Sequence, residues 1–264
     1  NTWLEAVGRA VGTWSPTAPA TKTTYDGLGR TTTTYVTDRG GDTSYADVHA
    51  SNASVLTGDT VFEEVSHRYI TATGLRMGLP DLQTVRRRAH DDTSTGAITS
   101  SATAVVSYAM TFYDAAERVS RTADYGTAKP LFEAGGTAPT DTQTSPPSAS
   151  DTVLVTITGY DERGLVGTVT DPDGHVTKHL YDGLNRTYAT IENFVDATVS
   201  WSTVPSPARW IANNVGTADG TDRVTSMVFD GNGNVVQLVA HQAKVSQDGD
   251  RDQVTQYVYG VSIG

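Results

Sequence analysis

The chain has 264 residues and a net charge of −11. That acidity argues against a nucleic-acid-binding surface, because phosphate binding rests on clustered Lys and Arg. With no cysteine there is neither a disulfide framework nor a thiolate metal site, although this leaves the compartment open. Thr, Val, Tyr, Gly, Asp and Ser are abundant while Lys and Glu are scarce, which favours an all-β class.

Taken from the start, residues 2–11 place Leu4, Val7 and Val11 at helix-like spacing, but Gly8 and the short length make any helix marginal. Residues 13–20, TWSPTAPA, read as a proline-broken loop. Next comes Tyr25-Asp26-Gly27-Leu28-Gly29-Arg30, with strand-forming threonines on both sides. This phrase has a mechanical meaning. Asp at the first position of a type I turn accepts backbone N–H groups, and a glycine after the two central residues supplies the left-handed conformation that closes a hairpin with a bulge. A β-hairpin is therefore expected, with an aromatic just before its turn.

Residues 31–104 carry no second clean phrase and are long enough to hide two or three degenerate units. Val61 to Thr71 and Gln83 to Ala89 read as strands. Arg86, Arg87 and Arg88 form the one basic cluster, expected as a single alternating strand with two arginines in solvent and no phosphate role. Tyr113-Asp114-Ala115-Ala116-Glu117-Arg118 repeats the phrase with Glu117 where glycine belongs, a substitution costing about 1 kcal/mol in left-handed geometry. A different turn is expected there. Residues 126–151, rich in Pro, Ser, Thr and Gly, read as an exposed insertion.

The clearest repeat follows, with Tyr160-Asp161-x-x-Gly164 and Tyr181-Asp182-x-x-Asn185-Arg186 separated by 21 residues. Asn185 stands where glycine is expected, and Asn is the non-glycine residue that best tolerates positive φ. A second exposed insertion spans 201–222. Phe229-Asp230-x-x-Gly233-Asn234 is a fifth copy, and a last strand, Val254 to Tyr259, opens another. The chain begins at Asn1 without a signal-like segment and stops inside a pattern, so we expect a piece of a longer polypeptide. Isolated hairpins cannot bury their own apolar faces, which makes side-by-side stacking into one continuous sheet the expected solution.

These five phrases resemble the unit of the YD-repeat, or Rhs (rearrangement hotspot), family. The resemblance is carried by Tyr25, Asp26, Gly29 and Arg30; by Tyr113, Asp114 and Arg118; by Tyr160, Asp161 and Gly164; by Tyr181, Asp182, Asn185 and Arg186; and by Phe229, Asp230 and Gly233. It implies that residues 1–264 form one segment of a β-sheet that spirals into a hollow shell, as in bacterial toxin complexes, Rhs effectors and teneurins. Implied partners are the rest of the parent shell and an enclosed passenger segment; the implied location is secreted or cell-surface. Leu165, Asn234 and Glu117 depart from the motif, and the family's self-cleaving end motif is not matched. Asp171-Pro172-Asp173-Gly174 is read as an ordinary turn between repeats.

Other chemistry is weighed against plainer readings. Gly260-x-Ser262-x-Gly264 matches a nucleophile elbow but lacks the helix and partners that it needs. His175 and His179 share one face of a strand in this reading, without a third metal ligand. Asp230-x-Asn232-x-Asn234 and Asp248-x-Asp250-x-Asp252 open like calcium loops, yet neither continues as one. Trp14, Trp201 and Trp210 lie in proline-containing loops. They either pin those loops to the sheet or, for Trp201 and Trp210, stack on sugars in an adhesin or carbohydrate-binding surface that would meet a cell-surface receptor. The expectation is a non-catalytic protein without cofactor, metal, nucleic-acid partner or membrane insertion, no apolar run approaching the roughly 20 residues that span a bilayer.

Overall fold

The computed structural model describes residues 2–4, 10–15, 18–40, 56–71, 76–98, 104–127, 146–194, 223–241 and 253–259, with side chains from residue 19 onward. The protein is all-β, built of consecutive antiparallel hairpins, and its regular elements among the described residues are strands. The chain divides into two compact units, Asn1–Val155 and Thr156–Gly264.

In the first unit the strands are β1 (Thr2–Leu4), β2 (Ala10–Ser15), β3 (Ala18–Tyr25), β4 (Thr31–Thr37), β5 (Val61–Tyr69), β6 (Pro80–Arg88), β7 (Ala104–Tyr113) and β8 (Val119–Gly126). Each pairs antiparallel with the next. The second unit opens within β9 (Leu154–Tyr160). It continues through β10 (Val166–Thr170), β11 (Val176–Tyr181), β12 (Thr187–Glu192), β13 (Arg223–Phe229), β14 (Val235–His241) and β15 (Gln253–Gln256). These too form an antiparallel meander in chain order.

Two expectations for the N-terminus are corrected. Thr2–Leu4 and Ala10–Ser15 are strands, so the helix-like spacing of Leu4 and Val11 is overridden by cross-strand pairing. The loop expected at 13–20 is corrected as well, since residues 13–15 belong to β2 and residues 18–20 to β3. Pro19 is tolerated inside β3 because the pairing jumps there, from Thr13–Thr21 to Ser15–Ala18, and leaves the missing N–H outside the ladder.

Within each unit the insertions fall mostly on one edge. In a meander, alternate connections lie at the same end, which separates the short turns that follow Tyr25, Tyr113, Tyr160, Tyr181 and Phe229 from the long connections 38–60, 89–103, 193–222 and 242–252. The described ends of the 126–151 insertion are largely exposed; residues 201–222 lie outside the described part.

Strand alternation sends every second side chain to a buried face. In the first unit Leu82, Tyr108, Met110, Phe112, Ala123 and Val155 form one cluster, and Leu56, Val61 and Ile98 another. In the second unit Leu180, Ala189, Ile191 and Val224 form the core, with Tyr188 and Phe194 against it. Each fully buried aliphatic side chain contributes about 1.5–3 kcal/mol.

The arginine triplet departs from expectation in its pairing. Arg86 meets Glu64 at 2.8 Å and Arg87 meets Glu63 at 2.7 Å, both on the neighbouring strand β5. The Arg88 side chain is buried, donating to the Val61 and Gly96 carbonyls and pairing with Asp92. Only Arg87 is exposed. Glu64, directly opposite on β5, draws Arg86 inward, while Asp92 and two backbone carbonyls hold Arg88 out of solvent.

Candidate functional site

All five phrases form the same turn. In each, the N–H of the Asp donates to the carbonyl four residues on, and its own carbonyl accepts the N–H three residues on: Gly29 at 2.9 Å, Glu117 at 3.1 Å, Gly164 at 2.9 Å, Asn185 at 3.1 Å and Gly233 at 3.1 Å. Those five residues all have positive φ, between 62° and 87°. Glu117 therefore keeps the geometry that its side chain disfavours, contrary to the expectation of a different turn. Part of the reason is that its carboxylate accepts the Arg76 N–H at 2.9 Å, a bond to the preceding turn that glycine could not make.

The carboxylates work identically. Oδ1 of Asp26, Asp114, Asp161, Asp182 and Asp230 accepts two backbone N–H groups, from the residues two and four places on. Oδ2 takes a side-chain donor: Arg30 at 2.7 Å, Arg118 at 2.8 Å, Arg186 at 2.7 Å and Asn234 at 3.0 Å. Where the motif fails at Leu165, Arg163 reaches back to Asp161 Oδ2 at 3.0 Å and supplies the guanidinium from a different position. Asn234 is likewise a working replacement for arginine, since its amide still caps the carboxylate.

Two further turns belong to the set. Asp171 to His175 repeats the bonding, with Gly174 at φ 91° and the His175 ring 3.2 Å from Asp171 Oδ2. His175 thus stands in the arginine position of a turn, outside β11, and does not share the strand face of His179; His179 meets Thr190 instead. Asp171, Asp173 and His175 bring ligand atoms within 4.8 Å of one another, but both Asp171 oxygens are already occupied by His175. The other turn connects Tyr69 to Pro80. Ile70 fills the Asp position, with its N–H on the Leu79 carbonyl and its carbonyl accepting the N–H of Gly78, whose φ is 88°. This is a unit hidden between Tyr25 and Tyr113. Tyr69 lies midway between them in sequence, the one signal that could have exposed it.

A common register shift marks the six turns that follow an aromatic residue. The pairing skips one residue immediately after each aromatic position, as in Tyr25–Thr31 followed by Thr24–Thr33. The same step recurs at Tyr69, Tyr113, Tyr160, Tyr181 and Phe229. Such bulges increase local twist.

Neighbouring turns are joined. The hydroxyls of Tyr69, Tyr113, Tyr181 and Tyr259 donate to the carbonyls of Thr31, Pro80, Val166 and Val235, in each case the residue that leaves the preceding turn, at 2.7–2.9 Å. Phe229 has no hydroxyl, and the Arg186 guanidinium stacks 4.2 Å from its ring centre. Arg30 stacks on Tyr69 at the same distance and donates to the Gly78 carbonyl. Arg76 donates to the Asp114 carbonyl, and Arg163 to both the Asp182 carbonyl and Asn185 Oδ1. A charged or phenolic side chain from one turn therefore grips the next.

The carboxylates are acidified by these bonds. The backbone N–H of Arg30 and of Arg186 chiefly holds Asp26 and Asp182 below the usual range, and the side chains of Arg118 and Asn234 do so for Asp114 and Asp230. At Asp161 and Asp171 desolvation pushes upward, but hydrogen bonds led by the N–H groups of Leu165 and His175 prevail. A carboxylate with a lowered folded pKa stabilises the fold above its unfolded value of about 3.9, and that contribution is lost as pH falls through the folded value. Urea midpoints should therefore hold between pH 7 and 5 and drop steeply below about pH 4; a midpoint still unchanged at pH 3 would contradict the assignment.

Backbone strain gives a second test. Gly29→Val and Gly164→Val should each destabilise by about 1–2 kcal/mol in chemical denaturation, because a β-branched residue is forced to positive φ. Asn185→Gly relieves that strain but removes an acceptor of Arg163, so its effect should be close to zero.

No family model matches this chain, and no curated protein does. Among solved structures it is similar to a crystal structure of TcdB2-TccC3, with 14% identity over 96% of this chain and 12% of that one, at a TM-score of 0.35. The TcdB2-TccC3-Cdc42 structure gives 14% identity, 96% and 12% coverage and a TM-score of 0.34. TcdB2-TccC3 without its hypervariable C-terminal region gives 13%, 89% and 11%, at 0.33. The chain thus spans about an eighth of the length of the structures that it matches.

Among the described residues no helix is long and apolar enough to cross a membrane. Ser262, Trp201, Trp210, the 248–252 loop and the Trp14 side chain lie outside the described residues. The Asp230-x-Asn232-x-Asn234 segment is a hairpin turn, with both Asp230 oxygens engaged by the chain itself.

Proposed function

We propose that this chain is a non-catalytic structural segment of a YD-repeat shell, whose wall encloses a passenger segment or presents a cell-surface scaffold. The observation that carries this reading is the stapled edge. Each turn within a unit contributes a tyrosine, phenylalanine or arginine contact to its neighbour, and the same contact is remade at Tyr69, Tyr113, Tyr181, Phe229 and Tyr259. A device that repeats with every hairpin permits a wall of any length, while insertions at the other edge vary without disturbing it. The turn carboxylates are saturated by hydrogen bonds, which suits a scaffold better than acid–base catalysis. Secretion or surface display and a passenger partner follow from the YD-repeat resemblance.

The test is electron microscopy of the full-length polypeptide that contains this sequence, combined with limited proteolysis. A closed wall around internal density, with a protease-resistant segment released only after unfolding, is expected. A flat or compact particle with no protected segment would overturn the proposal. Saccharide binding abolished by Trp201→Ala or Trp210→Ala would favour an adhesin instead.

A further inference from the structure

Lys22 lies in the middle of β3, paired to Gly12 on β2 and to Tyr35 on β4. Its side chain is buried against Asp59, two residues before β5. Nζ stands 2.6 Å from Oδ2, with 3% of the lysine side chain exposed and none of the aspartate. Both groups are held in place by backbone bonds. Strand pairing on two sides fixes Lys22, while the Asp59 N–H donates to the Leu56 carbonyl and its own carbonyl accepts the Gly96 N–H. The surroundings are dry. Ala20, Leu56 and Val61, all buried, flank the two residues in the chain, and Tyr35 opposite Lys22 packs with Leu56, Val61 and Ile98.

The turn carboxylates and those facing β6 meet arginine, histidine or asparagine instead. A guanidinium stays charged and does not condense with a carboxyl, whereas a lysine amine that has given up its proton is a nucleophile. Two charges in a low-dielectric site are costly even as a pair. One neutral amide removes both. Reacting groups fixed in contact reach effective concentrations of about 10⁵–10⁸ M, and exclusion of water favours a step that releases it.

We propose that Lys22 and Asp59 condense into an intramolecular isopeptide bond. Nζ passes one proton to Oδ2, leaving an amine and a carboxylic acid. The amine lone pair adds to Cγ, and the tetrahedral carbon expels water made of one carboxyl oxygen, the transferred proton and a second amine proton. A secondary amide between Nζ and Cγ remains, and nothing is oxidised or reduced. The bond ties β3 to the residues ahead of β5, across β4, in a chain that has no cysteine for a disulfide. Like a disulfide, it confines the unfolded chain. In freshly folded protein the pair is still ionic, and substitutions of Lys22 act on that ionic state.

The experiment holds the folded chain at pH 7 for timed intervals, then reads its intact mass and maps it by peptide mass spectrometry after trypsin digestion. The mass should fall by that of one water, with a branched peptide joining Lys22 to Asp59 and no cleavage after Lys22. Chain kept in concentrated urea from synthesis onward should form at least about tenfold less of it. Lys22→Arg, which keeps the charge pair, should retain the full mass, as should Asp59→Ala. A full mass that persists in the folded wild-type chain would overturn the proposal. So would water loss that maps to succinimides at Asp26-Gly27 or Asp182-Gly183, or a branched peptide formed equally well in urea.

Discussion

Lys22→Met should destabilise the first unit by about 3–5 kcal/mol, a large part of the 5–15 kcal/mol typical of a domain. Lys22 is 3% exposed and Asp59 is fully buried, with Nζ 2.6 Å from Oδ2. Removing the cation leaves a carboxylate in a low-dielectric site, and breaking a buried pair costs far more than never having built it. The position also matters for the loops. The Asp59 carbonyl accepts the Gly96 N–H at 2.7 Å, so the same residue ties the β4–β5 connection to the β6–β7 connection over Leu56, Val61 and Ile98. The double variant Lys22→Met with Asp59→Leu should recover most of the loss, since no charge is then left buried. Urea denaturation of the two variants decides it: a single-variant loss under about 1 kcal/mol would mean that the pair does not hold these loops.

For the second buried lysine the expected sign is opposite. Lys178→Met should stabilise the second unit at pH 7 by roughly 4 kcal/mol, because the amine it removes lies on a buried face against the Phe194 ring, with desolvation as the cause of its lowered pKa. Methionine fills similar volume without a charge to desolvate. With a folded pKa near 7 and an unfolded value near 10.4, the unfolded chain binds a proton that the folded chain lacks throughout that window. Wild-type stability must therefore rise with pH between these limits, and the advantage of the methionine variant must shrink over the same range and vanish above about pH 10.5. A gain that stays constant from pH 7 to pH 10, or a loss of stability at pH 7, would show that burial is not what governs this amine.

Much of the candidate site is local and could be read residue by residue. An Asp, two turn residues, a left-handed residue and a donor make a hairpin wherever they occur, because every bond in that turn closes within five residues. That is why the turns at Tyr25, Tyr160, Tyr181 and Phe229 follow from sequence, and why Glu117 was the one misjudged: its cost was visible, but its bond to Arg76, far away in the chain, was not. The unit at Tyr69 escaped for the same reason in reverse, with Ile70 and Leu79 in place of Asp and Arg and only backbone bonds left to close it.

What the amino-acid order determined by itself, then, is the all-β class, the positions of the turns and the alternation of the strands around them, all set by interactions between near neighbours in the chain. Only the tertiary structure decided which charges meet. Arg163 substitutes for the arginine missing at Leu165, Arg86 and Arg87 find glutamates on β5, Lys22 finds Asp59, and Lys178 comes to rest beside Gly159 and Thr168. Apart from the Arg163 contact, which closes within its own turn, those encounters depend on the register between paired strands. Register is fixed by the packing of a whole face at once, and no local pattern encodes it.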